Sequence, residues 1–206
     1  MKNIILSIGR QFGSGGSEIG KKLANELNIL YYDKELLAIA AQESGLCPEI
    51  FEKADERESS GFAYVFSLGF SPLGTYVSHD DMLSNEKLFL LQSETIQKLA
   101  AKESCVIIGR CSDYILRDNP GCLSFFIHNS PANRVEHIMK RENVSAARAK
   151  ELINKADKSR AAYYNYYTNK LWGVASSYNF SIDVSVLGID ETVSFLKYLI
   201  MRKFKL

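Results

Sequence analysis

A chain of 206 residues, 46% of them hydrophobic, is long enough for one large domain with an ordinary core, or for a domain carrying insertions. Its formal net charge of +1 removes any bulk electrostatic case for a nucleic-acid or acidic-membrane partner. The few residues before Gly9 are too short for a signal peptide, and the longest uncharged run, Phe62 to Ser78, is broken by Gly69, Pro72 and Gly74, so a cytoplasmic protein with no membrane span is expected.

Ile4 to Ile8 reads as a strand, Gly9 to Gly16 as a glycine-rich turn, and Ile19, Leu23, Ala24 and Leu27 as one face of a helix. Strand, glycine turn, helix is the layout that aims backbone N–H groups and a helix N-terminus at an anion. Laid over the phosphate-loop pattern G-x-x-x-x-G-K-[ST], Arg10 to Ser17 reads R-Q-F-G-S-G-G-S. Gly15 takes the second glycine and Ser17 the hydroxyl that holds Mg²⁺. Arg10 takes the first glycine, and Gly16 stands where the phosphate-binding lysine belongs; Arg10 or Lys21 is the candidate replacement charge. A dinucleotide fingerprint beginning at Gly13 is the competing reading. Glu18 occupies its last glycine, but Asp33 follows at roughly the twenty-residue spacing that motif uses. A glycine turn without a ligand is the third.

Asn28 ends the first helix, and Ile29 to Tyr32 forms a short strand closed by Asp33, at the edge where open α/β sheets bind ligands. Asp33 is therefore a ligand or metal candidate, or a cap for a helix over 34–42. Pro48 starts another helix. The irregular aromatic stretch that follows (Phe62, Tyr64, Phe66, Phe70, Tyr76) reads as an element inserted over the site, a partner surface, or core. Leu88, Leu91, Ile96 and Leu99 mark a helix from Lys87 to Lys102, and Cys105 to Ile108 is a buried parallel strand. Gly109-Arg110-Cys111-Ser112-Asp113 leaves its carboxyl end. Arg110 is a candidate anion contact, because a charge at that position is rarely there for packing. Asp113 is a candidate acceptor contact, a partner for Arg110, or the start of a helix over Tyr114 to Arg117.

Cys122 to Ile127 is the next strand, and Ser130-Pro131 caps and opens a helix. Basic residues, among them Arg134, Arg141, Arg148 and Arg160, are dense from there to Arg160, interleaved with Glu136, Glu142, Glu151 and Asp157. Such a segment is a solvated helical pair, or an arginine-bearing lid over a phosphate loop. Helix continues from Ala161 to Leu171, ended by Gly173, with Tyr163, Tyr164, Tyr166 and Tyr167 packed against the domain or a second subunit; a homodimer is compatible with that cluster. Phe180 to Ser185 is the last strand, and Ile189 to Lys203 a final amphipathic helix with Val193, Leu196, Leu199 and Ile200 inward. The pattern is an α/β three-layer sandwich with a five-stranded parallel sheet. The four cysteines, Cys47, Cys105, Cys111 and Cys122, form no C-x-x-C pair and are expected as free thiols. His79, His128 and His137 are scattered and complete no nucleophilic arrangement.

Five segments together resemble the cytidylate-kinase-like family: Ser7–Gly16, Tyr32-Asp33-Lys34-Glu35-Leu36, Ile107 to Asp113, Asp157-Lys158-x-Arg160 with Tyr163-Tyr164, and Trp172-Gly173. The resemblance implies a nucleoside-monophosphate-kinase fold of the P-loop type. It implies one domain over 1–206, with an acceptor-binding insertion at about 45–95 and an arginine-rich lid at about 131–165. It also implies ATP and Mg²⁺, with a small acceptor such as CMP. Backbone N–H groups of Gly13, Ser14, Gly15, Gly16 and Ser17 would hold donor phosphates, and Ser17 the Mg²⁺. Arg10 would replace the lysine. Arg134, Arg141 and Arg160 would close over the transferring group. Arg110, Asp33, Asp113, Asp157 and Arg160 would meet the acceptor. Cys111 departs from the Gly-Arg-Asp segment of true cytidylate kinases. The missing lysine keeps a second expectation open, a nucleotide-binding regulatory protein without useful turnover.

Overall fold

The first apolar run becomes the central strand of the sheet. The computed structural model describes residues 3–33 and 85–205, and in chain order these form β1 (Ile5–Arg10), α1 (Gly16–Leu27), β2 (Leu30–Tyr32), α2 (Asn85–Lys102), β3 (Cys105–Ile108), α3 (Ser112–Ile115), β4 (Cys122–His128), α4 (Pro131–Glu142), α5 (Ala146–Thr168), a 3₁₀ turn (Ala175–Ser177), β5 (Phe180–Asp183) and α6 (Val184–Phe204). The helices expected over 34–42 and from Pro48, the aromatic stretch Phe62 to Tyr76, Cys47 and His79 lie outside the described residues.

The five strands run parallel in the order β2-β3-β1-β4-β5. β1 is paired on both sides, with Ile5 between Cys105 and Cys122 and Ile8 between Ile108 and Phe125. That is why Ile5, Leu6 and Ile8 are all fully buried and the strand reads as a continuous apolar run. On one face Leu6, Ile8, Val106, Ile108, Phe125 and Ile127 pack against Ile19 and Leu23 of α1 and Val193, Leu196 and Ile200 of α6. On the other, Ile5, Cys105 and Ile107 pack against Ile96, Leu99 and Ala100 of α2. Two helical layers around one sheet make the expected three-layer α/β sandwich. A right-handed parallel sheet brings every strand's carboxyl end, with the segments after β1, β2 and β3, to one edge.

Local signals set most boundaries. Ser130 Oγ accepts from the Asn133 N–H with Pro131 at the first helical position, as expected. Asn28, Asn143 and Asn169 take left-handed backbones that end α1, α4 and α5. Two expectations are corrected. The helix thought to end at Gly173 stops at Thr168, because Asn169 caps it. α3 begins at Ser112, ahead of the expected Tyr114. The last helix runs from Ile189 as expected: Gly188 (φ 76°, ψ 177°) is non-helical and separates it from a short turn over 184–187, which Asp183 Oδ1 opens by accepting from the Ser185 N–H at 2.9 Å.

Tyr163, Tyr164 and Tyr167 of α5 pack within the chain, and Tyr166 is exposed. Tyr167 stacks on Phe89 with ring centroids 4.1 Å apart, and Tyr163 lies 4.7 Å from Tyr167. Cys105, Cys111 and Cys122 are free, as expected, and burial pushes Cys105 and Cys122 up to about 12, so both stay protonated thiols. No helix among the described residues is long and apolar enough to cross a membrane.

Phe125 is fully buried, with its ring 5.5 Å from Phe180. Phe125→Ala is expected to lower stability by about 3–5 kcal/mol in urea unfolding, through lost burial and the cavity left behind.

Candidate functional site

The segment between β1 and α1 closes into a loop because Gly13 (φ 77°) and Gly15 (φ 87°) adopt backbones that a side chain would strain. Ser14 Oγ accepts from the Gly16 N–H at 3.3 Å, and Gln11 N–H donates to the Ile127 carbonyl at 3.0 Å. α1 then starts directly behind the loop, so its first N–H groups face the cleft. The cleft, about 260 Å³, is lined by residues 10–18 and, from the helices above, by His137, Arg141 and Arg160. Residue types and backbone together suit an anion with several oxygens.

Gly16 and Gly109 serve a different need. A Cβ on Gly16 would lie 2.6 Å from Arg10 Cβ, and one on Gly109 would lie 2.2 Å from Arg10 Nη1. Both glycines leave room for the Arg10 side chain, which leaves β1, crosses the end of β3 and reaches Asp33 Oδ1 at 3.5 Å. Asp33 Oδ2 accepts from Tyr31 Oη at 3.2 Å, with the Ser17 carbonyl 3.3 Å from the same hydroxyl. Arg10 thus links the glycine loop, the end of β3 and Asp33.

Phe12 is what the helices hold. Its N–H donates to Asp157 Oδ1 at 2.8 Å, and its carbonyl accepts from Arg134 Nε at 2.8 Å. Arg134 Nη2 pairs with Asp157 Oδ2 behind it, and the two side chains are only 8% and 17% exposed. The Phe12 ring lies between two further guanidinium groups, 4.8 Å from that of Arg141 and 5.4 Å from that of Arg160. Arg160 Nη1 also donates to the Arg10 carbonyl at 3.0 Å.

Arg10, Gly13, Ser14, Gly15, Gly16, Ser17, Arg141 and Arg160 thus line one cleft, and Asp33 touches it through Arg10. Arg134 and Asp157 are placed differently from the expectation: they face each other and the Phe12 backbone, because a buried ion pair needs its remaining donors and acceptors filled nearby. Asp113 also turns away. Its Oδ2 accepts from Tyr164 Oη at 2.7 Å beside the buried Cys111 and Tyr178. Arg110 sits in a left-handed turn at the end of β3, outside the cleft lining. Phe12 and His137, which the sequence reading does not single out, also line the cleft. His137 shares a helix face with Arg141 at i, i+4, and Phe12 is the one large apolar residue inside a glycine loop; both signals were present in the sequence.

Among the described residues no His, Cys, Asp and Glu group of three could hold a metal by itself. Ser17, with Asp33 nearby, suits Mg²⁺, which keeps several waters and takes few protein oxygens beside phosphate.

Two outcomes are expected. Arg134→Ala leaves Asp157 buried and unpaired and should cost about 3–5 kcal/mol in urea unfolding. Burial raises the Asp113 carboxyl above its ordinary value, partly offset by the Tyr164 hydroxyl, the Lys170 charge and the N–H groups of Asp113 and Tyr114. The folded chain therefore holds the extra proton between the unfolded and folded values, and stability falls as pH rises through that window. Asp113→Asn should flatten this part of the stability–pH curve, read by urea unfolding across a pH series.

Several known proteins resemble the chain. A structure of an uncharacterized protein from Eubacterium ventriosum is similar at 30% identity and TM-score 0.73, covering 96% of this chain and 98% of that one. Shikimate kinases from Bacteroides thetaiotaomicron (14% identity, TM-score 0.53, 96% and 98% covered) and Acinetobacter baumannii (11%, 0.52, 97% and 94%) share the fold. The comparison with curated proteins returns no match. A sequence profile of the cytidylate kinase-like family matches residues 5–186, including β1, the glycine loop, the Arg110 turn and both arginine-bearing helices. By that match the chain belongs to the cytidylate kinase-like family.

Proposed function

We propose that the protein transfers the γ-phosphoryl group of Mg²⁺·ATP to a small phosphate-bearing acceptor, with a nucleoside monophosphate such as CMP as the first candidate. The observation that carries this reading is the cleft itself: a glycine loop at a helix N-terminus, faced by Arg141, Arg160 and His137 and bordered by Arg10.

Backbone N–H groups from Gly13 to Ser17 hold the donor phosphates, helped by the positive end of α1. Ser17 would hold Mg²⁺ together with phosphate oxygens, and the ion would supply positive charge against the transferring group. Arg10 takes the place of the missing lysine, bringing its cation from a strand end rather than from the helix. Its contact with Asp33 keeps it on the side of β2 and β3, where the acceptor is expected. Arg110 receives the acceptor's own phosphate. An acceptor oxygen attacks the γ-phosphorus, the bond to the β–γ bridging oxygen breaks, and ADP leaves. A phosphate oxygen is already anionic at neutral pH, so the step needs positioning and charge neutralisation more than a base. α4 and α5 act as the lid, and Arg134 and Asp157 brace the loop from behind. The insertion at about 45–95, most of it outside the described residues, supplies the rest of the acceptor site.

Gly16 favours a second reading, a nucleotide-binding regulatory protein that does not turn over. Acceptor-dependent ADP release separates the two: release at enzyme-like rates with CMP or another monophosphate removes the regulatory reading, and ATP binding without release supports it.

Calorimetric titration with Mg²⁺·ATP tests the shared premise. Micromolar binding is expected, weakened about tenfold or more in Arg10→Met by loss of charge-assisted hydrogen bonds. Gly16→Lys alone should not tighten binding, because its stem meets Arg10 Cβ. No binding by the unaltered protein would overturn the phosphotransferase reading.

A further inference from the structure

One stripe of α5 touches two separate parts of the site. Asp157, Arg160 and Tyr164 recur at i, i+3 and i+7, so they share a face. Asp157 accepts from the Phe12 N–H at 2.8 Å, and Arg160 donates to the Arg10 carbonyl at 3.0 Å; both contacts are at the start of the phosphate loop. Two turns on, Tyr164 Oη donates to Asp113 Oδ2 at 2.7 Å, at the end of β3. The helix rises about 10 Å between its first and last contact.

The second contact lies next to a costly backbone. Gly109 (φ 69°), Arg110 (φ 57°) and Cys111 (φ 54°) are three successive left-handed residues. For a residue with a side chain that conformation costs about 1–2 kcal/mol, and it persists only where the surroundings over-determine it. Other restraints come from the sheet and from the turn itself: Gly109 N–H to the Ile8 carbonyl at 2.9 Å, Ser112 N–H to the Gly109 carbonyl at 3.1 Å, the Tyr114 and Ile115 N–H groups to the Cys111 carbonyl at 2.9 Å each, and the buried Ser7 and Ser112 hydroxyls 2.6 Å apart. The Asp113–Tyr164 hydrogen bond comes from the arginine-bearing helix.

We propose that α5 is the spacer that fixes the phosphate loop relative to the Arg110 turn, and that Tyr164 is the positioning residue for Arg110. The role of Arg110 toward an acceptor phosphate rests on the reading given above; the mechanical coupling does not. Tyr164 never meets a ligand. It orders Asp113 in the first turn of α3, directly after the turn that aims Arg110. The bland alternative is that Tyr164 only fills the aromatic cluster with Tyr178, whose ring centroid is 5.8 Å away.

Tyr164→Phe keeps the ring and removes the hydroxyl, which also faces the Tyr178 hydroxyl, so it is paired with Asp113→Ala, which removes the acceptor and leaves both tyrosines in place. Amide hydrogen exchange followed by mass spectrometry is the readout, and it needs no turnover. The expected result is exchange about tenfold faster in residues 109–116, from loss of one hydrogen bond to a carboxylate. Residues 10–18 and 85–102 should be unchanged. Asp113→Ala, which removes the acceptor of the same bond, should give the same local pattern and stands in should Tyr164→Phe not fold. Unchanged exchange at 109–116 in both variants, or an equal rise in all three segments, would overturn the proposal. In kinetics with CMP, Tyr164→Phe should raise the acceptor KM about tenfold, the same lost bond read at Arg110, and leave the ATP KM within about twofold. If the unaltered protein does not turn over CMP, that acceptor assignment fails, while the exchange result still decides the coupling.

Discussion

The grip of Arg134 and Asp157 on Phe12 is the constraint on which the site depends. A segment with glycines at 13, 15 and 16 has much conformational freedom to lose and few side chains to hold it. Burying an arginine and an aspartate is itself unfavourable unless every donor and acceptor is matched. Each problem answers the other. The Phe12 N–H and carbonyl complete the ion pair, and the ion pair fixes the loop at Phe12. Loop and arginine-bearing helices therefore order together, with Arg141 and Arg160 gathered on the Phe12 ring at the mouth of the cleft.

A second constraint explains an apparent defect in the motif. A lysine at position 16 and an arginine at position 10 compete for the same space, since the Gly16 Cβ position is within 2.6 Å of Arg10 Cβ. Gly109 makes the matching allowance at the far end of the side chain. Three residues that look independent in the sequence are one packing unit. In it the charge approaches the cleft from the strand side and is held toward β2 and β3 by Asp33.

The two faces of the sheet divide the labour. The face under α1 and α6 is aliphatic and aromatic core up to Ile8, with Arg10 beyond it at the carboxyl end, which makes β1 and the start of α1 a rigid base for the loop. The opposite face carries, toward the carboxyl edge, a polar and aromatic patch of Cys111, Asp113, Phe126, Tyr164 and Tyr178. There α5 passes from the ion pair at Phe12 to the turn after β3, so one helix serves both ends of the site.

Much was readable from residue order alone. The parallel sheet, the glycine loop, the Ser130-Pro131 cap and the inward face of the last helix all follow from periodicity and from local backbone chemistry. Those properties depend on neighbours within a few residues. Asn169 as a helix end is equally local, but the glycine at 173 offers a competing signal. The partners of the charged residues were a different matter. Arg134, Asp157 and Asp113 carry the same charges as true ligand contacts, and nothing in their spacing says whether a carboxylate faces a pocket, a backbone N–H or a tyrosine. Arg134 meets Phe12 across 122 positions and Tyr164 meets Asp113 across 51. Only the folded chain decided them, because such contacts are set by how α4 and α5 lie over the sheet edge rather than by any residue's own preference.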